Sequence, residues 1–217
     1  EAGALFYQAK TPQYEGDRLG PVPAGFPKGT PAFYTMKYEV LQGDYADFLN
    51  TIPPEFTAAR TPASAPRYTT ERGTIRQDGG RFVAGAPARP ANWITWDDGT
   101  AFADWAGLRP MTELEFTKAV RGPDEPVAGD YPWGTASKDR LLRRVGPDDE
   151  LVRTGAADES KLTDETRDLL GASFYWVMDL AGSVWERSVT IGHPNGRRFT
   201  GTHGDGQLGT SGLATNV

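Results

Sequence analysis

Arg109-Pro110-Met111-Thr112-Glu113-Leu114-Glu115-Phe116 fixes a helix start more firmly than any other stretch of this chain. Thr112 and Glu115 form Thr-x-x-Glu, in which the threonine hydroxyl accepts a free helix N–H and the glutamate reaches back to the threonine N–H. A helix over about 112–121 follows. Upstream, Asp97 is placed to cap a helix over 97–106 that carries Phe102 and Trp105, and Gly107 stands where a C-terminal glycine belongs. Further out, Tyr45, Phe48 and Leu49 fall at i, i+3 and i+4, which predicts a helix over 42–50 with one apolar face.

Strand signals are shorter. Phe33 to Val40 is rich in aromatic and β-branched residues, and Ser173–Met178 and Ser183–Val189 read as two strands around Leu180-Ala181-Gly182. Residues 52–90 and 121–172 read as long loops, and 1–32 as an extended lead-in to a domain over 33–217. Short helices without regular βαβ alternation predict a single loop-rich α+β domain, with a small irregular sheet, rather than a doubly wound fold. Tyr45, Phe48, Phe102, Trp105, Phe116, Trp176 and Trp185 are the expected core.

The 217 residues suit one core with long loops. Six Trp, eight Tyr and ten Phe supply apolar area that a hydrophobic fraction of 38% would otherwise leave short. The net charge of −6 argues against a nucleic-acid surface. The basic run from Lys138 to Arg144 is followed by Asp148, Asp149 and Glu150 and reads as a solvated face. No 18-residue apolar stretch could span a bilayer. With no cysteine, these residues offer no disulfide, thiolate metal site or thiol nucleophile.

Gly204-Asp205-Gly206-Gln207-Leu208-Gly209 fits G-x-G-x-x-G, but no helix or acidic partner follows, so a dinucleotide reading fails. His193 and His203 lie in a glycine-rich tail without a nucleophile or helical partner and read as loop residues. The Asp97/Asp98 and Asp148/Asp149 pairs read as caps and solvated charges. Asp179-Leu180-Ala181-Gly182-Ser183-Val184-Trp185-Glu186-Arg187 differs. A turn there presents backbone carbonyls, and Ser183 and Glu186 add side-chain oxygens, a mixed set that hard cations such as Ca²⁺ accept. The competing reading is a tight turn whose Glu186 pairs with an arginine or caps backbone N–H groups.

Taken in chain order, these pieces resemble the formylglycine-generating, sulfatase-modifying enzyme family. They are Phe26-Pro27-Lys28-Gly29, Ala32-Phe33-Tyr34, Met36 to Val40, Gly43 to Asn50, Pro90 to Asp97, Ala101 to Trp105, Arg109 to Phe116, Tyr131-Pro132-Trp133-Gly134 and Asp179 to Glu186. The resemblance implies a C-type-lectin-like fold and a calcium ion at the segment matching Gly182 to Glu186, so that Ser183 and Glu186 are its candidate ligands. Ser183 stands where the family usually has Asn, and Arg187 where a second Trp is common. The family's copper-binding cysteine pair lies downstream of the Trp-Glu motif and has no counterpart here. The resemblance therefore implies a C-terminally incomplete domain, with 192–217 either poorly packed by itself or lying against another chain or a further segment of the same protein. The expected function is a non-catalytic binding or scaffold module outside the cytoplasm, a subunit of a larger assembly with protein partners. The alternative is a copper-dependent oxidase converting a sulfatase cysteine to formylglycine, if a longer parent chain carries the cysteine pair.

Overall fold

The elements are few and short in the computed structural model, which describes residues 21–58, 60, 73–125, 127–137, 141 and 163–216. They run α1 (Gln42–Thr51), α2 (Pro54–Thr57), β1 (Ile75–Asp78), β2 (Arg81–Ala84), α3 (Trp96–Trp105), α4 (Glu113–Arg121), a 3-10 turn (Asp164–Thr166) and α5 (Pro194–Arg197). Among the described residues this is a loop-rich α+β chain with one small antiparallel hairpin.

The 3.6-residue spacing on α1 does what it predicts. Tyr45, Phe48 and Leu49 are buried, and they pack on Ile75 and Phe82 of the hairpin and on Phe102 of α3. Phe48 lies 5.7 Å from Phe102 and 5.4 Å from Trp105, both edge-on, a geometry that adds to simple area burial. Full burial of each such ring contributes about 1.5–3 kcal/mol, so this ring cluster is the main stabilising unit. Asn50 clips α1 to β2: its amide donates to the Phe82 carbonyl at 2.9 Å and accepts the Phe82 N–H at 2.8 Å.

The hairpin itself lies inside 52–90, which the composition assigns to loop. Asp78 pairs with Arg81 across Gly79-Gly80, whose φ values are 56° and 83°. A two-residue turn that follows the strands' twist needs positive φ at both positions, and glycine supplies it without strain. The Gly-Gly pair was therefore a readable signal. It was hidden by the polar Arg76-Gln77-Asp78, which leaves only Ile75 of β1 buried.

The expected strands at 33–40, 173–178 and 183–189 are not laddered. Met178 N–H donates to the Lys37 carbonyl at 2.8 Å, Ala91 N–H donates to the Val40 carbonyl at 2.8 Å beside a Leu41–Pro90 bridge, and Thr112 and Val189 form a single bridge, but none of these extends into a ladder. The reason is local. Trp176 has φ 62° and its N–H closes a turn on Ser173, while Asp179 and Ser183 also have positive φ, so these aromatic segments bend back before a ladder can extend.

The capping box before α4 forms as read. Glu115 N–H donates to Thr112 Oγ1 at 3.2 Å and Thr112 N–H to Glu115 Oε2 at 3.0 Å. Arg109 completes it by pairing with both Glu115 oxygens, at 2.8 and 2.7 Å. Burial alone would raise the Glu115 carboxyl; the Arg109 hydrogen bonds and charge and the Thr112 bonds outweigh it and hold the group below its usual range. The start of α3 needs a correction. Thr95, not Asp97, is its cap: Thr95 Oγ1 accepts from Asp98 N–H, and Asp98 Oδ2 accepts from Thr95 N–H at 3.1 Å. Thr-x-x-Asp is a shorter version of the same reciprocal box, and Asp98 also lies 3.4 Å from Arg60.

A second apolar cluster joins Val22 and Phe26 to Val189 and Ile191, and a third holds Leu170, Ala172 and Met178. Of the expected core, Tyr45, Phe48 and Phe102 are buried, and Trp105, Phe116 and Trp176 are half-buried. Trp185 overturns its assignment: it is 96% exposed, because the positive-φ turn before it swings the indole outward. The glycine-rich segment 192–216 is mostly exposed, as expected, with Arg197 and Gly212 buried, but its later part is tethered. It lies back on α3 through backbone hydrogen bonds to Asp104 and Leu108, which glycine-rich chain can reach because it lacks side chains. Residue 217 and the basic run at 138–140 and 142–144 lie outside the described residues.

Candidate functional site

Two segments distant in sequence make the site. Residues 36–39 run beside Met178, and the turn 179–186 folds over them. Asp179 (φ 65°), Gly182 (φ 90°) and Ser183 (φ 60°) all take left-handed backbone, and two of the three are not glycine. Such conformations persist only where surroundings over-determine them. Glu39 is one such constraint, since its Oε1 accepts the Val184 N–H at 3.4 Å.

The electrostatics of this turn are unusual for a solvent-facing loop. Glu39 is half-buried, its Oε2 is shut away from solvent and has no hydrogen-bond partner, and the adjacent Asp179 is 2% exposed. The Glu39 carboxyl is pushed up to about 9, first by burial and then by repulsion from Asp179 and Glu186. Ser183 and the Val184 N–H pull the other way without prevailing. Glu186 sits on the exposed side of the turn. Its carboxyl is raised to about 7, chiefly by loss of water on its protein side, with Asp179 adding repulsion that solvent partly screens.

Of the sequence-predicted site residues, the structure thus places Ser183 and Glu186 on one turn. Glu39 and Asp179 join them there. Asp179 opened the stretch singled out in the sequence, whereas Glu39 was hidden in what read as a strand. A charged residue between Tyr38 and Val40 was the available signal. Among the described residues Glu186 pairs with no arginine. Nor do three acidic or imidazole side chains there converge closely enough to hold an ion unaided. The repulsion felt by Glu39 acts over a longer range than direct ligation, so any ion shell here would need the carbonyls of the turn. The residues fit calcium in this limited sense: a buried, unsatisfied carboxylate oxygen and two further acidic groups beside a carbonyl-bearing turn. These 217 residues contain no cysteine, so a copper-binding cysteine pair does not lie within them.

The other candidates fall elsewhere. His193 Nδ1 accepts the Asn195 N–H at 3.1 Å and caps α5, and His203 is exposed. Tyr131 and Trp133 stack at 4.5 Å with a 6° tilt, and Trp133 is buried with its Nε1–H donating to the Ser137 carbonyl. Exposed rings at Tyr34, Phe174 and Tyr175, with Trp185, leave much aromatic surface uncovered.

Fold and site together define a loop-rich α+β domain with an acidic, strained turn at its surface. The chain belongs to the formylglycine-generating-enzyme-like family: the model described as "Sulfatase-modifying factor enzyme 1-like domain" matches residues 5–208. It is 31% identical to the hercynine oxygenase of Mycolicibacterium smegmatis over 126 residues, 56% of this chain and 26% of that protein. It is 29% identical to the formylglycine-generating enzyme of Thermomonospora curvata over 108 residues, 49% of this chain and 35% of the relative. The Streptomyces coelicolor formylglycine-generating enzyme is 38% identical over 85 residues, 37% and 26% of the two chains. The matched stretches thus span about a quarter to a third of these relatives. No solved structure gives a significant match.

Proposed function

We propose that this chain is a non-catalytic binding module of the formylglycine-generating-enzyme-like family, C-type-lectin-like in form. Its 179–186 turn holds one calcium ion, and its loops meet protein partners in an extracytoplasmic assembly. The observation that carries the reading is the buried, unsatisfied Glu39 Oε2 beside Asp179 and Glu186. Calcium takes about six to eight oxygens and accepts carboxylates, hydroxyls, carbonyls and water together. Glu186, Ser183 and the carbonyls of 182–184 would be its ligands, with Glu39 and Asp179 lowering the potential behind them. A bound cation would stabilise the ionised carboxylates and fix the turn that presents Trp185. Exposed aromatic side chains of this kind are enriched at protein interfaces.

The names of the relatives favour a second reading, an enzyme that oxidises a cysteine or acts on hercynine. Full-length protein supplied with oxygen, copper(I) and either a cysteine-bearing peptide or hercynine separates the two by mass spectrometry. The binding reading expects both substrates unchanged and a stoichiometric partner retained in calcium but lost in chelator. Conversion of thiol to aldehyde, or oxygen gained by hercynine, would overturn it.

A further inference from the structure

We propose that residues 204–215 form a strap that opens and closes over α3 as one unit, with the Asp104 side chain as its latch. Asp104 lies at the C-terminal end of α3 and is wholly buried. Its Oδ1 accepts the Asp205 N–H at 3.1 Å, and its Oδ2 accepts the Thr215 N–H at 2.7 Å and the Thr215 hydroxyl at 3.4 Å. Its backbone carbonyl accepts the Gly206 N–H at 3.0 Å. One residue therefore grips the strap near both ends. Arg60 makes a second clamp: Nη2 donates to the Gly212 carbonyl at 2.7 Å and Nη1 to the Phe56 carbonyl at 3.0 Å.

Apolar contact contributes little by comparison. Leu208 is half-buried against the ring cluster, and Leu213 is 43% exposed. The sequence requirement is steric instead. A Cβ at Gly204 would overlap the Asp104 backbone, and Gly212 abuts the Phe56 ring. Of the stretch that imitates a nucleotide-binding motif, Gly204 is thus needed for its lack of a side chain against the helix, and Gly206 for its positive φ of 84°.

This division sets how the strap opens. Breaking one bond to Asp104 leaves a buried charged acceptor poorly satisfied, so half-open states are disfavoured and the two ends release together. The body beneath is held by the ring cluster and does not depend on the strap, so opening is a local event with its own free energy. The open form uncovers Phe56, Trp105, the Arg60–Asp98 ion pair and the Asp104 carboxylate, an aromatic and polar surface hidden in the closed form.

Native-state hydrogen exchange read by mass spectrometry tests this on the full chain. In the wild type, amides of 204–215 exchange with one shared opening rate, faster than those of α1 and the β1–β2 hairpin. Asp104→Asn removes one of the acceptors, and Gly204→Ala blocks seating from the strap side with the sequence of α3 unchanged. Each is expected to speed strap exchange at least tenfold and leave α1 and the hairpin unchanged. Strap protection unaltered in Gly204→Ala would overturn the proposal, and so would strap and α1 losing protection in step.

Discussion

Replacing Glu39 by Gln keeps an oxygen for the Val184 N–H and removes the charge that burial, Asp179 and Glu186 oppose. In the fold this carboxyl moves from 4.5 to about 9, so the folded chain holds a proton where the unfolded chain has released it. Stability without calcium therefore falls as pH rises through that window and levels off above it. Each pH unit across it corresponds to about 1.4 kcal/mol, which sets an upper bound of about 3 kcal/mol lost between pH 4.5 and 7. Because Glu39 is only half-buried, about 1–2 kcal/mol is the working expectation, still a sizeable share of a typical domain stability of about 5–15 kcal/mol. Glu186 adds a smaller slope of the same sign, and the Lys37 ammonium, held over the Tyr38 and Trp176 rings, provides the nearby positive charge on that segment. Urea unfolding in chelator at pH 5, 6.5 and 8 reads the effect. Glu39→Gln should match the wild type at pH 5 and exceed it by about 1–2 kcal/mol at pH 8. Parallel pH dependence in the two proteins would refute the electrostatic account of the turn.

Other expectations follow from the same structure. Glu115→Ala removes the Arg109 pair and the capping box at once and should cost about 3–5 kcal/mol in urea unfolding. Because the folded Glu115 carboxyl is depressed, its contribution is present above pH 4.5 and fades as pH falls through the lowered value, so the wild-type advantage should shrink in acid. Phe102→Ala opens the ring cluster and should cost about 3–5 kcal/mol, read as a lower thermal midpoint. Trp185→Ala should change stability by no more than about 0.5 kcal/mol, since the indole is 96% exposed; a larger loss would mean that the ring packs in solution.

What the sequence revealed follows from how each feature is encoded. The helices α1, α3 and α4 are set by local spacing and by side chains that satisfy their own N-termini, so Tyr45, Phe48 and the Thr112–Glu115 box were legible. The hairpin was not, because Arg76-Gln77-Asp78 leaves β1 with one buried residue and no apolar alternation, and the Asn50 clip that seats it comes from 32 residues away. Aromatic content misled at Phe174-Tyr175 and Trp185, where positive backbone dihedrals at Trp176 and Ser183, invisible in composition, decide which way the chain turns. Ser183 and Glu186 were found through the turn that carries them. Glu39 was missed because its partners lie about 140 residues on, and a lone acid in an apolar run looks like strand periodicity until the fold brings Asp179 beside it.

The account stands or falls on whether the 179–186 turn binds calcium. Isothermal titration of calcium into chelator-treated full chain, repeated at pH 7 in two buffers of different ionisation enthalpy, tests this directly. The prediction is a single site with net release of about one proton per ion, because metal binding must ionise carboxyls that the turn holds protonated. Glu186→Gln should abolish that site while keeping the fold. Absence of binding heat, with a thermal midpoint identical in calcium and chelator, would contradict it.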